Sequence, residues 1–377
     1  MSSIRGLALL TRRLPQLITS TSRFPVRQVV ARDSHFSSAC SAVGQGMRKR
    51  WEKDELLEQK YADLRREAAT GNALKAVEGL EQMQSSSELF DWMVIQMVAS
   101  VISTAGWSSA KKLLEKQYLS KAQSKRYVRF ASVDECQIEA AIEKVLDAKH
   151  PDSFDIAKDF YRSLISMRFC KVKDGGLEIF VRECLERNNI SDAIGTVNEI
   201  MSLGKCKSIK NSLLRILVAA QSHPEVEEEV DRLLRKYAPS SSMRLCLQGS
   251  VLLSANKSLE FVELLKMHDH QLSEDDLRLI IDLAVHFKNP NILLSLHTVR
   301  EVLNLGVKLR DLLYCSITEI FGRMKDVDGL RLTWDLVKDE QPIEEFAVSV
   351  RKLRHFFHCV NIMPPADLIR KMKNKFE

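Results

Sequence analysis

The chain has 377 residues, 45% of them hydrophobic and 28% charged, which is the balance of a soluble folded protein with room for two domains or one long array. It holds only 14 Gly and 9 Pro, and its excess of good helix formers argues against a β-rich or Rossmann-type enzyme. The formal net charge of +6 belongs mostly to the first 33 residues, because setting aside their six arginines and one aspartate leaves 50 basic and 49 acidic residues. The rest of the chain is therefore nearly neutral, which excludes a strong positive field over the whole body.

Residues 1–46 have the composition of a mitochondrial transit peptide, since they are rich in Arg, Ser, Thr and Leu and contain a single acid, Asp33. A secretory signal is disfavoured because Arg12 and Arg13 interrupt any hydrophobic region. We expect import into the mitochondrial matrix, with an untargeted, disordered basic tail as the alternative. The body would begin near Met47, and the sequence leaves the cleavage position open.

From Trp51 onward the pattern predicts paired helices with no strand signal between them. The second helix of each pair follows a breaker, and the predicted starts are Asn72, Trp107, Asp152, Ser191, Pro224, Lys257, Pro290, Val327 and Pro364. A spacing near 35 residues between such starts is typical of stacked helical hairpins. The sequence thus predicts an all-α fold: an α-solenoid of about nine antiparallel helical hairpins over residues 47–377, preceded by the disordered leader.

The clearest hairpin is Leu177–Cys206, in which apolar residues recur at the spacing of one helical face on both sides of a turn. Asn188 and Asn189 are expected to break the first helix, because asparagine tolerates left-handed turns. Ser191 is the expected N-cap of the second helix. Gly204 follows that helix at a position where a positive φ is favoured. A hairpin this short needs neighbours to bury its apolar face.

The longest apolar stretch, Trp92–Ala105, is shorter than the roughly 20 residues that a membrane-spanning helix requires. It also contains Gln and Ser, so we predict a buried helix and no membrane span.

Eight cysteines occur without any CxxC pair, so zinc-knuckle spacing is absent. Five of them fall in apolar helical patterns and are predicted to be small core residues of a protein in a reducing compartment: Cys136, Cys184, Cys246, Cys315 and Cys359.

Two stretches of the body are strongly basic. Residues 120–133 are predicted to be a partly extended insertion between the second and third hairpins, and residues 343–377 a basic C-terminal cap that shields the end of the array. The candidate RNA contacts of the insertion are Lys121, Lys125, Arg126, Tyr127, Arg129 and Phe130, which combine charges for phosphates with rings for bases. Those of the cap are Arg351, Lys352, Arg354, Arg370, Lys371 and Lys373. Lys205, Lys207 and Lys210 form a third set at a hairpin junction, and the alternative for each set is a solvated surface.

The stretch from Leu177 to Ser208 resembles a pentatricopeptide repeat, in which the second helix has an alanine near its start and ends Met-x-x-x-Gly. Ala193 and Gly204 match this pattern, and Met201 stands one place late. Weaker echoes occur at Asp155–Arg168 and Leu293–Gly306, whereas the Trp, Gly, Tyr and Ala pattern of tetratricopeptide repeats is not found. The resemblance covers about four of the hairpins and implies an array whose concave surface, lined by the first helices, binds single-stranded RNA.

In that family two side chains read one base per repeat, one early in the first helix and one at the last position of the repeat. The resemblance puts these positions near Glu178 and Ser208. The usual pairs combine Asn, Thr or Ser with Asp or Asn, and Glu178 departs from them. A degenerate array would bind RNA without sequence preference or bind protein instead.

No enzymatic motif is found: the sequence has no phosphate loop, dinucleotide fingerprint, zincin motif or nucleophile elbow. His268 and His270 flank Asp269, which could be read as a metal site, but no fourth ligand is in view and a polar turn between hairpins is the preferred interpretation. We predict a non-enzyme with no catalytic residue, no metal and no cofactor.

Three functions remain open. The first is a mitochondrial RNA-binding adaptor of the pentatricopeptide type, acting on single-stranded RNA or a ribonucleoprotein in RNA stability, processing or translation. The second is a protein-binding scaffold, either a mitochondrial ribosome component or an assembly factor, which the nearly neutral body favours. The third is a chaperone for a respiratory complex. The leader, the hairpin spacing and the basic clusters favour the first.

Overall fold

The computed structural model describes residues 56, 58–67, 75–79, 82, 91–123, 134–148, 150–204, 206 and 208–375. Contacts divide the chain into two units, Met1–Glu58 and Gln59–Glu377, and nearly all described residues lie in the second. Every regular element among the described residues is a helix and none is a strand, which confirms the all-α prediction. The leader, most of the 120–133 insertion and the first predicted joint, at Asn72, lie outside the described residues.

Two helical stretches, 58–67 and 75–79, come first in the described chain. Fifteen further α-helices follow in the described residues: α1 Asp91–Gln123, α2 Glu135–Leu146, α3 Ser153–Ser166, α4 Asp174–Glu186, α5 Ile190–Leu203, α6 Lys210–Ala220, α7 Glu227–Tyr237, α8 Ser241–Ser254, α9 Ser258–Met267, α10 Glu274–His286, α11 Pro290–Thr298, α12 Val307–Met324, α13 Val327–Val337, α14 Ala347–Cys359 and α15 Ala366–Lys375. Short 3₁₀ turns, Pro224–Val226 and Ile343–Phe346, precede α7 and α14.

The predicted joints agree with the helix starts in the described part of the chain. Helices α11 and α13 begin at the predicted Pro290 and Val327, and α9 begins one residue after Lys257. Pro224 opens the 3₁₀ turn before α7, where its missing amide hydrogen costs no intrahelical bond. Breaker residues therefore located helix starts well, because their effect on the backbone is local.

Helix α1 is interrupted at Gly106, whose φ of 79° and ψ of 168° are not helical. Glycine tolerates this left-handed φ without the penalty that a Cβ would bring. The segment Trp92–Leu119 is long and apolar enough to cross a membrane, but 61% of its apolar 18-residue window is buried inside the protein. A core helix passes the same test, and the interruption one residue before the predicted start at Trp107 divides the segment into two shorter helices.

Left-handed residues close the turns between consecutive helices. Asn188, Lys288 and Lys325 have φ values of 54°, 49° and 56°. The next residue in each case caps the following helix with its side chain, as Asn189 does by accepting a hydrogen bond from the Asp192 backbone nitrogen at 3.0 Å. The predicted cap, Ser191, lies inside α5, because the N-cap is Asn189, two residues earlier than expected.

The prediction for Gly204 is also wrong. Its φ is −175° and its ψ 166°, so the backbone is extended at the end of α5 and any residue could adopt it. Its small size has another use, because a Cβ there would lie 3.2 Å from a Val172 methyl group. The glycine is thus explained by close packing rather than by backbone freedom.

The helices pack in two sets. Helices α2, α4, α6, α8, α10, α12 and α14, called the first row, each contact the next member of the set. Each of them also packs against the helix that follows it in the chain. Among the remaining helices, called the second row, α1 contacts α3, α3 contacts α5, α5 contacts α7, and α9 contacts α11. The apolar faces meet between the rows, where Phe180, Phe261, Trp334 and Phe357 are almost fully buried.

Acidic residues near the start of one first-row helix cap the next helix in the row. Glu135 accepts a hydrogen bond from the backbone nitrogen of Gly175 at 3.1 Å, in the first turn of α4. Asp174, the neighbour of Gly175, accepts from the backbone nitrogen of Ser212 at 3.2 Å and from its hydroxyl at 2.7 Å, in the first turn of α6. A carboxylate at a helix N-terminus satisfies orphan amides and interacts favourably with the helix dipole.

The same arrangement recurs further along the chain. Asp311 of α12 accepts from the backbone nitrogen of Ser349 at 3.1 Å, near the start of α14 and 38 residues away. Ser273 caps α10 in a full capping box with Asp276. The chain therefore satisfies helix starts both from the preceding turn and from the neighbouring helix of the row.

The cysteine prediction is correct for three of five positions. Cys184, Cys246 and Cys315 are buried, whereas Cys136 and Cys359 are exposed. Both exposed cysteines fall in apolar sequence patterns, and composition alone does not reveal which side of a helix is exposed.

Candidate functional site

Many of the predicted RNA contacts lie outside the described residues: Lys125, Arg126, Tyr127, Arg129, Phe130, Lys205 and Lys207. Lys121 and Lys373 lie within helices α1 and α15, but their side chains are outside the described part. The remaining candidates are on the first row and on the C-terminal hairpin, where their surroundings differ.

Glu178 is buried and paired with a guanidinium and an imidazole, although it was predicted to stand at a base-reading position. One carboxylate oxygen accepts from Arg215 Nε at 2.5 Å, and the other lies 2.7 Å from His286 Nε2. The guanidinium of Arg215 also stacks over the ring of Phe287, 4.8 Å from its centroid. We call Glu178, Arg215 and His286 the Glu178 bridge.

The bridge joins helices that are far apart in the chain. Glu178 belongs to α4, Arg215 to α6 and His286 to α10, and 108 residues separate Glu178 from His286. Packed helix axes are about 9 Å apart, so three steps along a straight row would separate α4 from α10 by about 27 Å. Two side chains do not span that distance, and the first row therefore bends so that α4 and α10 face one another.

A second ion pair crosses the same face. Lys210 Nζ of α6 lies 3.9 Å from an Asp282 carboxylate oxygen of α10. We call the surface of the first row that holds this pair and the Glu178 bridge the inner face.

The members of the bridge hold one another in their charged forms. Burial raises the pKa of Glu178, but the hydrogen bond from His286 and the charge of Arg215 outweigh it, and the net pKa lies below its usual value. The hydrogen bond to Glu178 raises the pKa of His286, with burial working against it. Both shifts favour the ion pair over the neutral groups.

The inner face near the bridge is acidic. Glu135, Glu139 and Glu143 recur at four-residue spacing on α2, and this spacing places them on one side of the helix. The pKa of Glu139 is raised by burial and then by the charges of Glu135, Glu143 and Glu178. Glu135 and Glu143 are in turn paired with Lys173 and Arg182 at 3.3 and 3.2 Å, so the cations on this surface, like Arg215 and His286, are engaged with carboxylates of the chain.

The other two predicted residues near the inner face are also occupied or partly covered. Lys210 forms the pair with Asp282, and its side chain is 31% exposed. Ser208 is half-buried, and its carbonyl accepts from the Cys206 thiol at 3.1 Å. The structure thus brings Glu178 and Lys210 to one face, where each interacts with this chain itself.

The C-terminal hairpin, α14 with α15, keeps several of its cations unpaired. Arg351, Arg354 and Arg370 are exposed and take part in no ion pair within the described residues. Lys352 pairs with Glu319 at 2.7 Å. Lys371 donates to the Lys338 carbonyl at 2.5 Å, so the predicted cap is split between free and engaged cations.

No protein-family model matches the chain, and no curated protein matches its sequence at a significant level.

A second polar cluster, absent from the sequence predictions, lies between α11, α12 and the turn after α13. Glu340 is 6% exposed and accepts from Arg310 at 2.6 Å and from the Tyr314 hydroxyl. The Tyr314 oxygen is also 3.1 Å from His297 Nδ1, and burial is the main cause that lowers the pKa of His297 to about 4. The hydrogen bonds among His297, Tyr314 and Glu340 therefore join two hairpins.

Within the described residues no three His, Cys, Asp or Glu side chains converge in a way that could hold a metal ion. His268 lies at the end of α9, and Asp269 takes a left-handed φ of 45° in the turn before α10. The MHDHQ stretch is thus a turn between helices.

The sequence predictions missed Arg215 and His286 as members of the central site. No signal at a separation of 108 residues would have paired His286 with Glu178. The recurrence of an acid close to the start of first helices was visible, and it could have indicated the caps between neighbouring helices.

Proposed function

We propose that the chain is a mitochondrial helical-repeat adaptor that binds another protein. In this proposal its helices form an α-solenoid of about nine antiparallel hairpins, similar to pentatricopeptide arrays. The inner face would serve mainly to hold the curvature of the array, and the ligand would be recognised by other surfaces.

The solenoid is supported by the order of helix contacts. First-row helices contact their successors in the row, and each packs on the helix that follows it in the chain. The carboxylate caps link helices 37 to 40 residues apart, which is the spacing expected between equivalent positions of adjacent hairpins.

The observation that carries the choice of a protein ligand is the Glu178 bridge. A residue that reads bases must present free donors or acceptors to the ligand, whereas both oxygens of Glu178 are engaged by Arg215 and His286. The nearby cations Lys173 and Arg182 are likewise paired with glutamates of α2, and backbone phosphates bind where cations are available. The nearly neutral body points in the same direction.

RNA binding is the second candidate, favoured by a different surface. The three unpaired arginines of the C-terminal hairpin could contact phosphates, and so could the basic stretch that contains Lys125 and Arg126. Binding there would depend on charge rather than on a base-by-base code.

Mitochondrial targeting is supported by the composition of residues 1–46, and a non-enzymatic role by the lack of a catalytic motif in the sequence. To test targeting, the full chain is compared in cells with a chain that lacks residues 2–46. We expect the full chain in the matrix and the truncated chain in the cytosol; equal distribution would contradict the targeting proposal.

To test the ligand class, the full chain is imported, cross-linked and purified under denaturing conditions, with and without prior ribonuclease digestion. We expect the same cross-linked proteins in both samples. If the cross-linked proteins are lost after ribonuclease digestion, and RNA is recovered from the undigested sample, RNA is the ligand and the proposal of a protein adaptor fails.

To test RNA binding directly, retention of single-stranded RNA by the purified chain is measured at increasing salt. The second candidate predicts a steep loss of affinity with salt, and a slope reduced by about one to two charges in Lys125→Ala/Arg126→Ala. Arg235→Ala/Lys236→Ala, an adjacent basic pair on α7, is the matched control. No retention at low salt would reject RNA as a ligand.

A further inference from the structure

The C-terminal hairpin contains an open groove beside the turn between α14 and α15. Its volume is about 490 Å³, and its lining includes Arg354, Ile362, Met363, Pro364, Ile369 and Met372. Met363 is 83% exposed, which is unusual for a large apolar side chain next to a concave apolar surface.

The hairpin that carries the groove is well anchored to the rest of the unit. Trp334 of α13 donates from Nε1 to an Asp367 carboxylate oxygen at 2.9 Å, and Lys352 of α14 pairs with Glu319 of α12. The groove is therefore a formed surface on a packed hairpin, with its apolar floor fixed by buried Pro364 and Met372.

The rim of the groove is positively charged. Arg354 lines it, and Arg351 and Arg370 are exposed on the same two helices without an ion pair in the described residues. From Ala347 to Lys375 the sequence has seven Lys or Arg and a single acid, Asp367, which is engaged with Trp334. A complementary partner would have an apolar anchor flanked by carboxylates.

The basic segments of this chain do not meet that description. The first 32 residues have six arginines and no acid, and Lys121–Phe130 has four basic residues and no acid. Charge repulsion would oppose either of them on this rim. RNA would suit the cations but not the apolar floor formed around Ile362, Met363 and Ile369.

We propose that this groove docks an amphipathic helix of another protein, with apolar residues entering between Ile362, Met363 and Ile369 and acidic residues facing Arg354 and Arg370. Helices laid into apolar grooves are held by anchors at i, i+3, i+4 and i+7, and methionine adapts its shape to such anchors. The surrounding charges set the orientation and the rate of association. The inference rests on the proposed adaptor function and names the chemistry of one partner.

The test measures binding of fluorescent 18-residue helical peptides to the full chain by anisotropy. One peptide has leucines on one face and glutamates elsewhere, and its partner has the same leucines with lysines. We expect the glutamate peptide to bind at least about tenfold more tightly, and Met363→Asp and Arg354→Glu each to weaken it by about tenfold.

Two matched variants control for nonspecific effects. Met267→Asp changes a methionine that is 75% exposed on α9, and Arg331→Glu changes an exposed arginine of α13. Both should leave peptide affinity within about twofold of the unaltered chain, because neither residue lines the groove. All four substituted side chains are on the surface, so we expect each variant to fold.

Three outcomes would overturn the inference. The first is equal binding, or no binding, of the two peptides. The second is that single-stranded RNA occupies the groove, with displacement of the peptide and loss of RNA binding in Met363→Asp. The third is a dimer of the chain that Met363→Asp dissociates, since the occupant would then be a second copy. If peptide binding fails while cross-linked proteins survive ribonuclease, the adaptor function stands and only the groove assignment is wrong.

Discussion

The inner face and the C-terminal hairpin use charged residues in opposite ways. On the inner face, Glu178 is buried between Arg215 and His286, and Lys210 is paired with Asp282. On the C-terminal hairpin, Arg351, Arg354 and Arg370 are exposed and unpaired in the described residues, beside an open apolar groove. The charged side chains of the first region pair with one another and stabilise the fold, whereas those of the second region are exposed to solvent.

The difference teaches that the type of a residue at a motif position does not establish a binding role. A charged side chain is available to a ligand only when the fold leaves it without a partner, and burial of an unpaired charge would be costly. The comparison predicts that substitutions on the inner face reduce stability, whereas substitutions on the C-terminal hairpin reduce binding.

The largest effect is expected from Glu178→Ala. It removes the shared partner of Arg215 and His286, and we expect a loss of about 2 kcal/mol in the free energy of unfolding, because charge-assisted hydrogen bonds to a buried group disappear. Urea unfolding followed by circular dichroism measures it. Glu186→Ala, which removes a surface pair on the same helix, should cost less than about 0.5 kcal/mol. Equal losses in the two variants would contradict the structural role of the bridge.

A smaller loss, about 1 kcal/mol, is expected from Asp311→Ala. The change removes the carboxylate that caps the first turn of α14, so the Ser349 amide loses this side-chain acceptor. Asp335→Ala, on the neighbouring α13, alters only a surface pair with Lys338 and is the matched control. A shift of the urea midpoint confined to Asp311→Ala supports the cap; matched shifts would exclude it.

The pH dependence of stability should identify the ionised bridge. The pKa of His286 is raised in the folded chain, so its contribution is fully present below the unfolded pKa of about 6.5 and is lost as pH rises through the folded pKa. The urea midpoints of the unaltered chain and of His286→Gln should therefore differ most at mildly acidic pH and converge at higher pH. Glu178 stays ionised over this window because its pKa is lowered. A constant difference between the two chains across this range would mean that His286 does not titrate against Glu178.

The smallest effect on stability is expected at the C-terminal hairpin. Arg351→Ala and Arg370→Ala should each leave the free energy of unfolding within about 0.5 kcal/mol, since exposed unpaired charges contribute little. Lys352→Ala is the informative comparison, because it breaks the pair with Glu319 and should cost more than either arginine. A large loss in Arg351→Ala would reveal a contact that makes this surface part of the fold and would weaken its assignment to a ligand.

Local chemistry determined much of the fold. Prolines at 224 and 290 and the caps Ser273 and Asn289 act on the backbone within one turn, so the helix starts near them could be predicted from the sequence. Apolar periodicity predicted the all-α class for the same reason, because apolar residues recur every three or four positions on the buried face of a helix.

Tertiary structure alone decided which charged side chains are free to meet a ligand and which cysteines are buried. Glu178 and His286 are 108 residues apart, and only the bend of the first row brings them into contact. Cys136 and Cys359 resemble core residues in the sequence but are exposed, since the side of a helix that faces a neighbour depends on where that neighbour packs. Helix positions follow from interactions within a turn, whereas the availability of a charge depends on every helix that packs around it.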